Sequence, residues 1–228
     1  MLLSPKLLTR LASFRKPRDA MTLLKEGLCD KLGLSKAIHV GAHYGEERET
    51  YEALGFSEVL WIEASAEIYQ TLVRRLASFT GSSTRHLAVN ALVSDQTGER
   101  FDLRHFSNDG ASNSIFPATS LLRETWPGLD ETGATEAVIS DTLDRIAAAH
   151  GFGSVDLITA DVQGAELLVL KGATKLLANA KAVIVEVSML PFYEGGVLQP
   201  ELSRFLHNYG FMEIRRPPKH GDQLFIRV

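Results

Sequence analysis

The sequence is short of sulfur, of net charge and of long apolar runs. Cys29 is its single cysteine, so no intramolecular disulfide can form; this fits a reducing compartment and a cytoplasmic location. Formal net charge at pH 7 is -4 over 228 residues, so bulk electrostatics do not point to nucleic acid as a partner. No apolar stretch is long enough to form a transmembrane segment. There is no internal repeat and no low-complexity tract. No His, Cys or carboxylate spacing matches a metal site, so none is expected. What is present is a composition ordinary for a globular protein, 45% hydrophobic, sized for one domain or one domain with an appendage.

The first twenty residues differ from the rest. Lys6, Arg10, Arg15, Lys16 and Arg18 sit among leucines that fall largely on one helical face. The uninterrupted apolar region and small-residue cleavage site of a secretory signal are not seen. Two readings follow. The segment packs on the domain or on a second subunit, as in a homodimer, or it makes a peripheral membrane contact on an anionic surface. Met21 to Leu32 reads as a further helix covering the sheet edge, with Gly33 as its stop. The expected organisation is a helical appendage over residues 1–32 and one domain over residues 33–228.

From Lys36 onward strand and helix alternate. Lys36 to Val40, Glu58 to Ile62, Arg85 to Val89, Val155 to Ala160 and Lys181 to Val187 are apolar runs of strand length. Glu46 to Leu54, Ser65 to Phe79 and the segment after Glu166 read as helices, with Ser65 as an N-cap. Such alternation predicts right-handed βαβ units and a mostly parallel sheet with helices on both faces. Phe211 to Arg215 and Gln223 to Val228 read as a closing antiparallel pair. Residues 99–106 read as a strand with one wet face and 107–117 as a loop. Leu121 to Glu136 reads as irregular, Ala137 to Ile139 as a short strand, and Ser140 as the cap of a helix reaching Ala149. A long insertion of this kind is a candidate substrate region.

Ile38 to Glu47 combines a strand, a glycine turn and a helix start. Backbone N–H groups at such a junction can receive an anion. A dinucleotide loop would carry three glycines; here Gly41 and Gly45 stand alone, which weakens a nicotinamide reading. Glu63 ends the next strand about twenty residues on, where an acid can grip ribose hydroxyls.

His39-Val40-Gly41-Ala42-His43-Tyr44-Gly45, Trp61-Ile62-Glu63-Ala64, Asn90-Ala91-Leu92, Asp141-Thr142-Leu143-Asp144 and Asp161-Val162-Gln163-Gly164-Ala165-Glu166 resemble, in order, the motifs of FkbM-type S-adenosylmethionine-dependent methyltransferases. The resemblance implies a Rossmann-like class I methyltransferase fold, α/β, with a mostly parallel seven-stranded sheet and an antiparallel C-terminal strand. It implies S-adenosyl-L-methionine as cofactor and methylation of a hydroxyl on a small molecule or glycan. By resemblance Gly41, Ala42 and Gly45 border the methionine part, Glu63 binds ribose, and Asn90 and Ala91 lie near adenine. His39, His43 and Ala64 complete that set, and Asp161 faces the methionyl amine or the reaction centre. The chain departs from the family at His39 and His43, at Thr159 where Lys is common, and at Gln163 where Glu is usual.

A hydroxyl acceptor loses its proton as it attacks, so a base is needed within hydrogen-bond reach. Asp161 is the first catalytic candidate and the cofactor amine its alternative role. His43 is the second, with shaping of the glycine loop as its alternative. His39, inside a strand, reads as a core histidine. His105 and Asn113 could contact the acceptor or be ordinary surface groups. Glu166 reads as a helix-dipole partner, and Glu186 as either an acceptor-side group or a paired strand-end acid. Two other readings stay open: a nicotinamide-dependent oxidoreductase, and a catalytically silent S-adenosylmethionine-binding or interaction protein.

Overall fold

A computed structural model describes residues 20–78 and 81–228. The elements are, in chain order, α1 (Ala20–Leu23), α2 (Cys29–Leu32), β1 (Lys36–Val40), α3 (Arg48–Ala53), β2 (Glu58–Glu63), α4 (Ala66–Ala77), β3 (Arg85–Asn90), β4 (Leu92–Ser94) and β5 (Arg100–Phe106). There follow α5 (Ser120–Thr125), β6 (Glu131–Thr142), α6 (Leu143–Ala149), β7 (Leu157–Ala160), α7 (Glu166–Lys171) and α8 (Thr174–Asn179). The chain closes with β8 (Ala182–Ser188), α9 (Gln199–Asn208), β9 (Phe211–Glu213) and β10 (His220–Arg227).

Seven strands form one sheet in the order β3-β2-β1-β7-β8-β10-β9. The four pairings among the five strands from β3 to β8 are parallel, and β10 runs antiparallel to both of its neighbours. This is the class I methyltransferase architecture expected from the sequence. Alternate residues serve opposite cores, as period-two geometry requires. Ile38, Val40, Leu60 and Ile62 enter one core, and Ala37, Val59 and Trp61 the other. Both faces are covered, so the strands read as nearly continuous apolar runs. Each fully buried aliphatic side chain contributes about 1.5–3 kcal/mol of transfer free energy, offset largely by ordering.

The described part of the expected appendage, residues 20–32, does not stand apart. Ala20, Leu24, Leu28 and Cys29 are packed with Tyr51, Trp61 and Ile184 in the second core, so they cover a sheet face rather than an edge. Nor is the helix continuous. A wide turn over Leu24–Leu28 breaks at Gly27, whose φ is 95°, before Cys29–Leu32 resumes and ends at left-handed Gly33. The expectations for the basic segment before Ala20 lie outside the described residues. No helix among the described residues is long and apolar enough to cross a membrane.

The insertion is more regular than expected. Residues 121–136 contain nearly all of α5 and the first half of β6, which pairs antiparallel with β5 and parallel with β4 in a small second sheet. β6 is mostly exposed or half-buried, so ladder hydrogen bonds specify it without a hydrophobic alternation that could be read in advance. Ser140 stays within this strand and donates to the Gln96 carbonyl; α6 begins later, at Leu143. β10 begins at His220, three residues before the expected start, and this extension reaches the site.

Candidate active site

The site lies beyond the carboxyl ends of β1, β2, β7 and β8, where a parallel sheet leaves a crevice. Gly41 closes β1 with φ 79°, and its N–H donates to the Ile62 carbonyl at 3.0 Å. A Cβ there would stand 1.8 Å from the Asp161 carbonyl oxygen, so only glycine lets the β1 and β7 ends meet. Gly45 (φ 72°) turns the chain toward α3 and packs on Leu72.

Glu63 ends β2 almost fully buried. Its two oxygens accept from the backbone N–H of His43 at 2.9 Å and of Ser65 at 2.8 Å. Burial raises its pKa, and these hydrogen bonds only partly counter that. Each oxygen keeps a lone pair for a hydroxyl donor. Asn90 Nδ2 donates to the Glu63 and Ala64 carbonyls at 2.8 and 3.0 Å, fixing the turn that aims the carboxylate. Ser65 does occupy the N-cap of α4, but its hydroxyl makes no cap bond; the Glu136 carboxylate from β6 takes the Ala66 N–H instead.

A first cavity is bounded by Gly41, His43, Glu63, Ala64, Ala91 and Asp161, with the strap of residues 107–117 above it. Apolar side chains of Ile62, Val93, Leu103 and Ile115 form one wall. Asn113 enters this cavity from the strap. Its Oδ1 accepts the Phe106 N–H at 2.9 Å, while its buried Nδ2 has no hydrogen-bond partner. An apolar slot with a buried acid, a glycine cradle and an orphaned amide has the chemistry to fit an adenosyl group. The cavity measures about 70 Å³ in this conformation, with the strap as its upper side.

His43 holds that strap. Its φ is 43°, and its ring bridges Glu46 Oε1 (Nδ1, 3.0 Å) and the Asp109 carbonyl (Nε2, 3.1 Å). Burial lowers its pKa, but the Glu46 hydrogen bond, the Asp109 carbonyl and the nearby carboxylates outweigh it, so the net shift is upward. A ring facing a carboxylate and a carbonyl is a double donor, which leaves no lone pair for base catalysis. This placement favours the loop-shaping role of His43 over that of a base.

His39 is the core histidine expected from its place in the strand, and it stands apart from the residues grouped with it around the cofactor. It lies buried in the second core, stacked on Trp61 at 5.2 Å and bonded through Nδ1 to the Tyr51 hydroxyl at 3.2 Å. Burial lowers its pKa, and it does not border the first cavity. Tyr51 continues to Thr159 Oγ1 at 3.0 Å, so the departure at Thr159 faces this buried polar chain and not the crevice. Ala42 and Gly45 likewise shape the loop from behind, and Asn90 acts through the turn it braces. His105 sits 3.8 Å from Glu136 on the β5–β6 ladder, away from either cavity.

The second cavity, about 400 Å³, adjoins the first across Ala111 and Gln163. Trp126, Phe192 and His220 form a ring cluster on it, with centroids 4.7–5.2 Å apart. Glu186, Tyr193 and Ser112 supply polar atoms. Gln163, in a left-handed turn (φ 54°), partitions the two spaces. Its Nε2 donates to Asp161 Oδ1 at 2.6 Å and Glu186 Oε2 at 3.1 Å, and its Oε1 accepts the Tyr193 hydroxyl at 2.7 Å. Ser114 of the strap donates to the Gln163 carbonyl at 2.7 Å.

Asp161, Glu166 and Glu186 each bring a carboxylate oxygen within 4.8 Å of the others, a convergence that linear spacing concealed. Burial, then the Glu166 charge, pushes Asp161 up to about 7. Burial also pushes Glu166 up to about 7, although its Oε1 accepts from the Val162 and Gly164 N–H groups. Glu186 is pushed well above the carboxylate range by burial and by Asp161. Such a set binds protons readily near neutrality and shares them.

Phe192, Tyr193 and His220 were not identified from sequence, whereas Trp126 falls in the insertion marked as a candidate substrate region. Tyr193 lies in the loop after β8, and the rule that ligands sit beyond strand carboxyl ends marks such a loop. His220 carries no local signal; antiparallel pairing of β10 with β8, which sets His220 opposite Ser188, brings it to the same end.

The methyltransferase FkbM domain matches residues 39–212. Among solved structures, an S-adenosylmethionine-dependent methyltransferase from Aquifex aeolicus is 13% identical, covering 99% of this chain and 98% of its own, with a TM-score of 0.48. Magnesium protoporphyrin IX methyltransferase from Synechocystis, with bound S-adenosylmethionine, is 10% identical, covering 91% and 79%, with a TM-score of 0.46. No curated protein sequence matches the chain.

Proposed function

Because the chain belongs to the methyltransferase FkbM domain family, we propose that it methylates a hydroxyl oxygen on a small molecule or glycan. The chain is a methyltransferase, and S-adenosylmethionine is its cofactor. That membership sets aside the nicotinamide-dependent oxidoreductase reading. The observation that carries the proposal is the pair of adjoining cavities. One has the chemistry of an adenosyl pocket, and the other, across Gln163, is large enough for a small acceptor.

When bound, the cofactor supplies an electrophilic methyl group. The chain's own part is binding and alignment, which can account for much of the rate. Glu63 would accept hydroxyl donors from the ribose. Ala64, Ala91, Leu103 and Ile115 would enclose the base, and Gly41 would let backbone approach the methionine end. Asp161, on the wall of the first cavity, would receive the methionyl amine, whose positive charge would draw its raised pKa back down. The partition at Gln163 orients donor against acceptor and keeps water out.

Calorimetry with S-adenosylmethionine and S-adenosylhomocysteine, followed by a screen of hydroxyl compounds for S-adenosylhomocysteine release, tests this reading. Cofactor-dependent product with alcohols supports it. Product only with amines or thiols overturns the O-methylation, and cofactor binding with no product from any class leaves the catalytically silent reading standing.

A further inference from the structure

We propose that the 400 Å³ cavity selects an uncharged cyclic alcohol or polyol, and that Glu186 takes the proton from its reacting hydroxyl. The inference rests on the methyl-transfer reading above and deepens it. Three observations carry it.

The first is the wall. Trp126, Phe192 and His220 offer aromatic surface to the apolar face of a ring, and Trp126 is 38% exposed although every neighbour it stacks on belongs to the site. Partly exposed rings beside a few convergent polar groups are the usual make-up of a small-ligand pocket.

The second is the sign of the charge. Among the described residues that line this cavity there is no Lys or Arg. The charged group present is Glu186, and Asp161 and Glu166 stand directly behind it. His220 is held toward its neutral form by burial. A phosphate or carboxylate brought here would be stripped of water with no cation to receive it, which costs several kcal/mol. Anionic acceptors are therefore disfavoured by missing attraction, and by repulsion whenever one of the three acids gives up its proton.

The third is the placement of Glu186 itself. It faces the second cavity, whereas Asp161 faces the first. Gln163 holds its Oε2, and Oε1 lies 3.4 Å from His220 Nε2. His220 Nδ1 is buried without a partner, which suits the neutral tautomer with hydrogen on Nε2, pointing at Glu186. The titratable groups facing Glu186 are Asp161 from β7, Glu166 from α7, His220 and Asp222 from β10, and Tyr193 from the following loop. Three neighbouring carboxylates and burial make Glu186 a stronger proton acceptor than an ordinary glutamate. In the transfer step the acceptor oxygen forms a bond to the methyl carbon. The carbon–sulfur bond breaks with its electron pair staying on sulfur, and the hydroxyl proton passes to Glu186 Oε1.

Trp126 makes this testable without knowing the natural acceptor. The chain has two tryptophans, and Trp61 is sealed in the core, so Trp126 reports on the cavity. Trp emission of the full chain, saturated with S-adenosylhomocysteine, is titrated with methyl glucopyranoside, inositol, glucuronate and glucose 6-phosphate. The neutral compounds should shift emission in the millimolar range, the anionic ones at least tenfold more weakly, and W126F should lose the response. Equal or tighter binding of the anions, or no response to either neutral compound, overturns the selectivity.

Turnover of whichever neutral probe binds is then followed in E186Q and E186D. E186Q should keep S-adenosylmethionine affinity within about twofold and lose about 100-fold or more in kcat, with the acidic limb of its pH profile flattened. E186D should recover part of the rate. An E186Q rate within about threefold of wild type, or cofactor-bound wild type releasing no product from a bound neutral probe, overturns the base assignment. Wild type that fails to bind S-adenosylmethionine would instead count against the methyl-transfer reading.

Discussion

The side-chain amide of Gln163 joins Glu186 to Asp161 by donating to both, at 3.1 and 2.6 Å. One neutral donor thus serves two acids that belong to different cavities. A glutamate at this position would add a further negative charge to a group whose acids already hold protons to unusually high pH.

Replacing that amide should therefore be costly in a pH-dependent way. Gln163→Glu should lower stability by about 2 kcal/mol at pH 8 and by less at pH 5, where the added carboxylate shares the available protons. Thermal melts at the two pH values check this. An equal loss at both would show that packing, not charge, is what Gln163 supplies.

Asp161 gives the converse case. Its folded pKa of about 7 exceeds the unfolded value near 3.8, so the folded state binds the extra proton. The penalty for ionising it is absent below about pH 4, grows as pH rises through 7, and is complete above that. Asp161→Asn should melt higher than wild type at pH 8, by about 1–2 kcal/mol, and match it near pH 4. The same variant should bind S-adenosylmethionine less tightly, because the amide carries no charge for the cofactor amine. Titration calorimetry reads the second effect independently of the first.

Glu63→Gln and Glu63→Ala separate recognition from scaffolding. Both remove the charge from the contact to ribose hydroxyls, so affinity for S-adenosylhomocysteine should fall about tenfold or more. Gln keeps one acceptor and turns its NH2 donor toward the other N–H, whereas Ala removes the acceptors of both the His43 and the Ser65 N–H groups, so Ala should lose about 1–3 kcal/mol further in stability. Unchanged affinity in a folded Glu63→Gln protein would remove this residue from the cofactor site.

His43 should govern access and not chemistry. Its raised pKa means that its hold on Asp109 is complete at pH below its unfolded value and is lost as pH rises through the folded one. Hydrogen exchange in residues 107–115, corrected for intrinsic rate, should therefore quicken between pH 6 and 9. His43→Ala should show fast exchange at both. It should release S-adenosylhomocysteine faster while keeping a kcat within about tenfold of wild type. A loss of 100-fold or more with normal product release would restore it as a base.

Gly41→Ala should be the most damaging of the small substitutions, at about 3 kcal/mol or outright failure to fold, because backbone of β7 occupies the Cβ position. Gly55→Ala is the control. It also has a positive φ, 76°, but nothing lies within 4 Å of its Cβ, so about 1 kcal/mol is expected. Comparable losses would mean that dihedral strain and not close approach dominates at Gly41.

Several motif residues turn out to serve the fold. Asp144 accepts from the Lys175 and Leu176 N–H groups at 2.8 and 3.0 Å, capping α8. Asp141 holds the start of α6 through the Thr142 N–H and Arg145. Glu166 caps its own turn. Their order along the chain made the family readable, yet nothing in that order separates a capping carboxylate from a cofactor-binding one. The distinction depends on which backbone N–H each side chain meets.

The mostly parallel sheet and the glycine loop were legible in the sequence, because apolar periodicity, glycine at the β1 end and an acid at the β2 end are local consequences of burial and backbone geometry. Tertiary structure alone decided the acceptor side. β6 is specified by a ladder rather than a buried face, and His220 reaches Glu186 only because β10 runs antiparallel to β8. The acids at Asp161, Glu166 and Glu186 come together because separate chain ends finish at one edge of the sheet. Their shared protons are a property of that closeness, and distance between side chains from different strands is not written in any one segment.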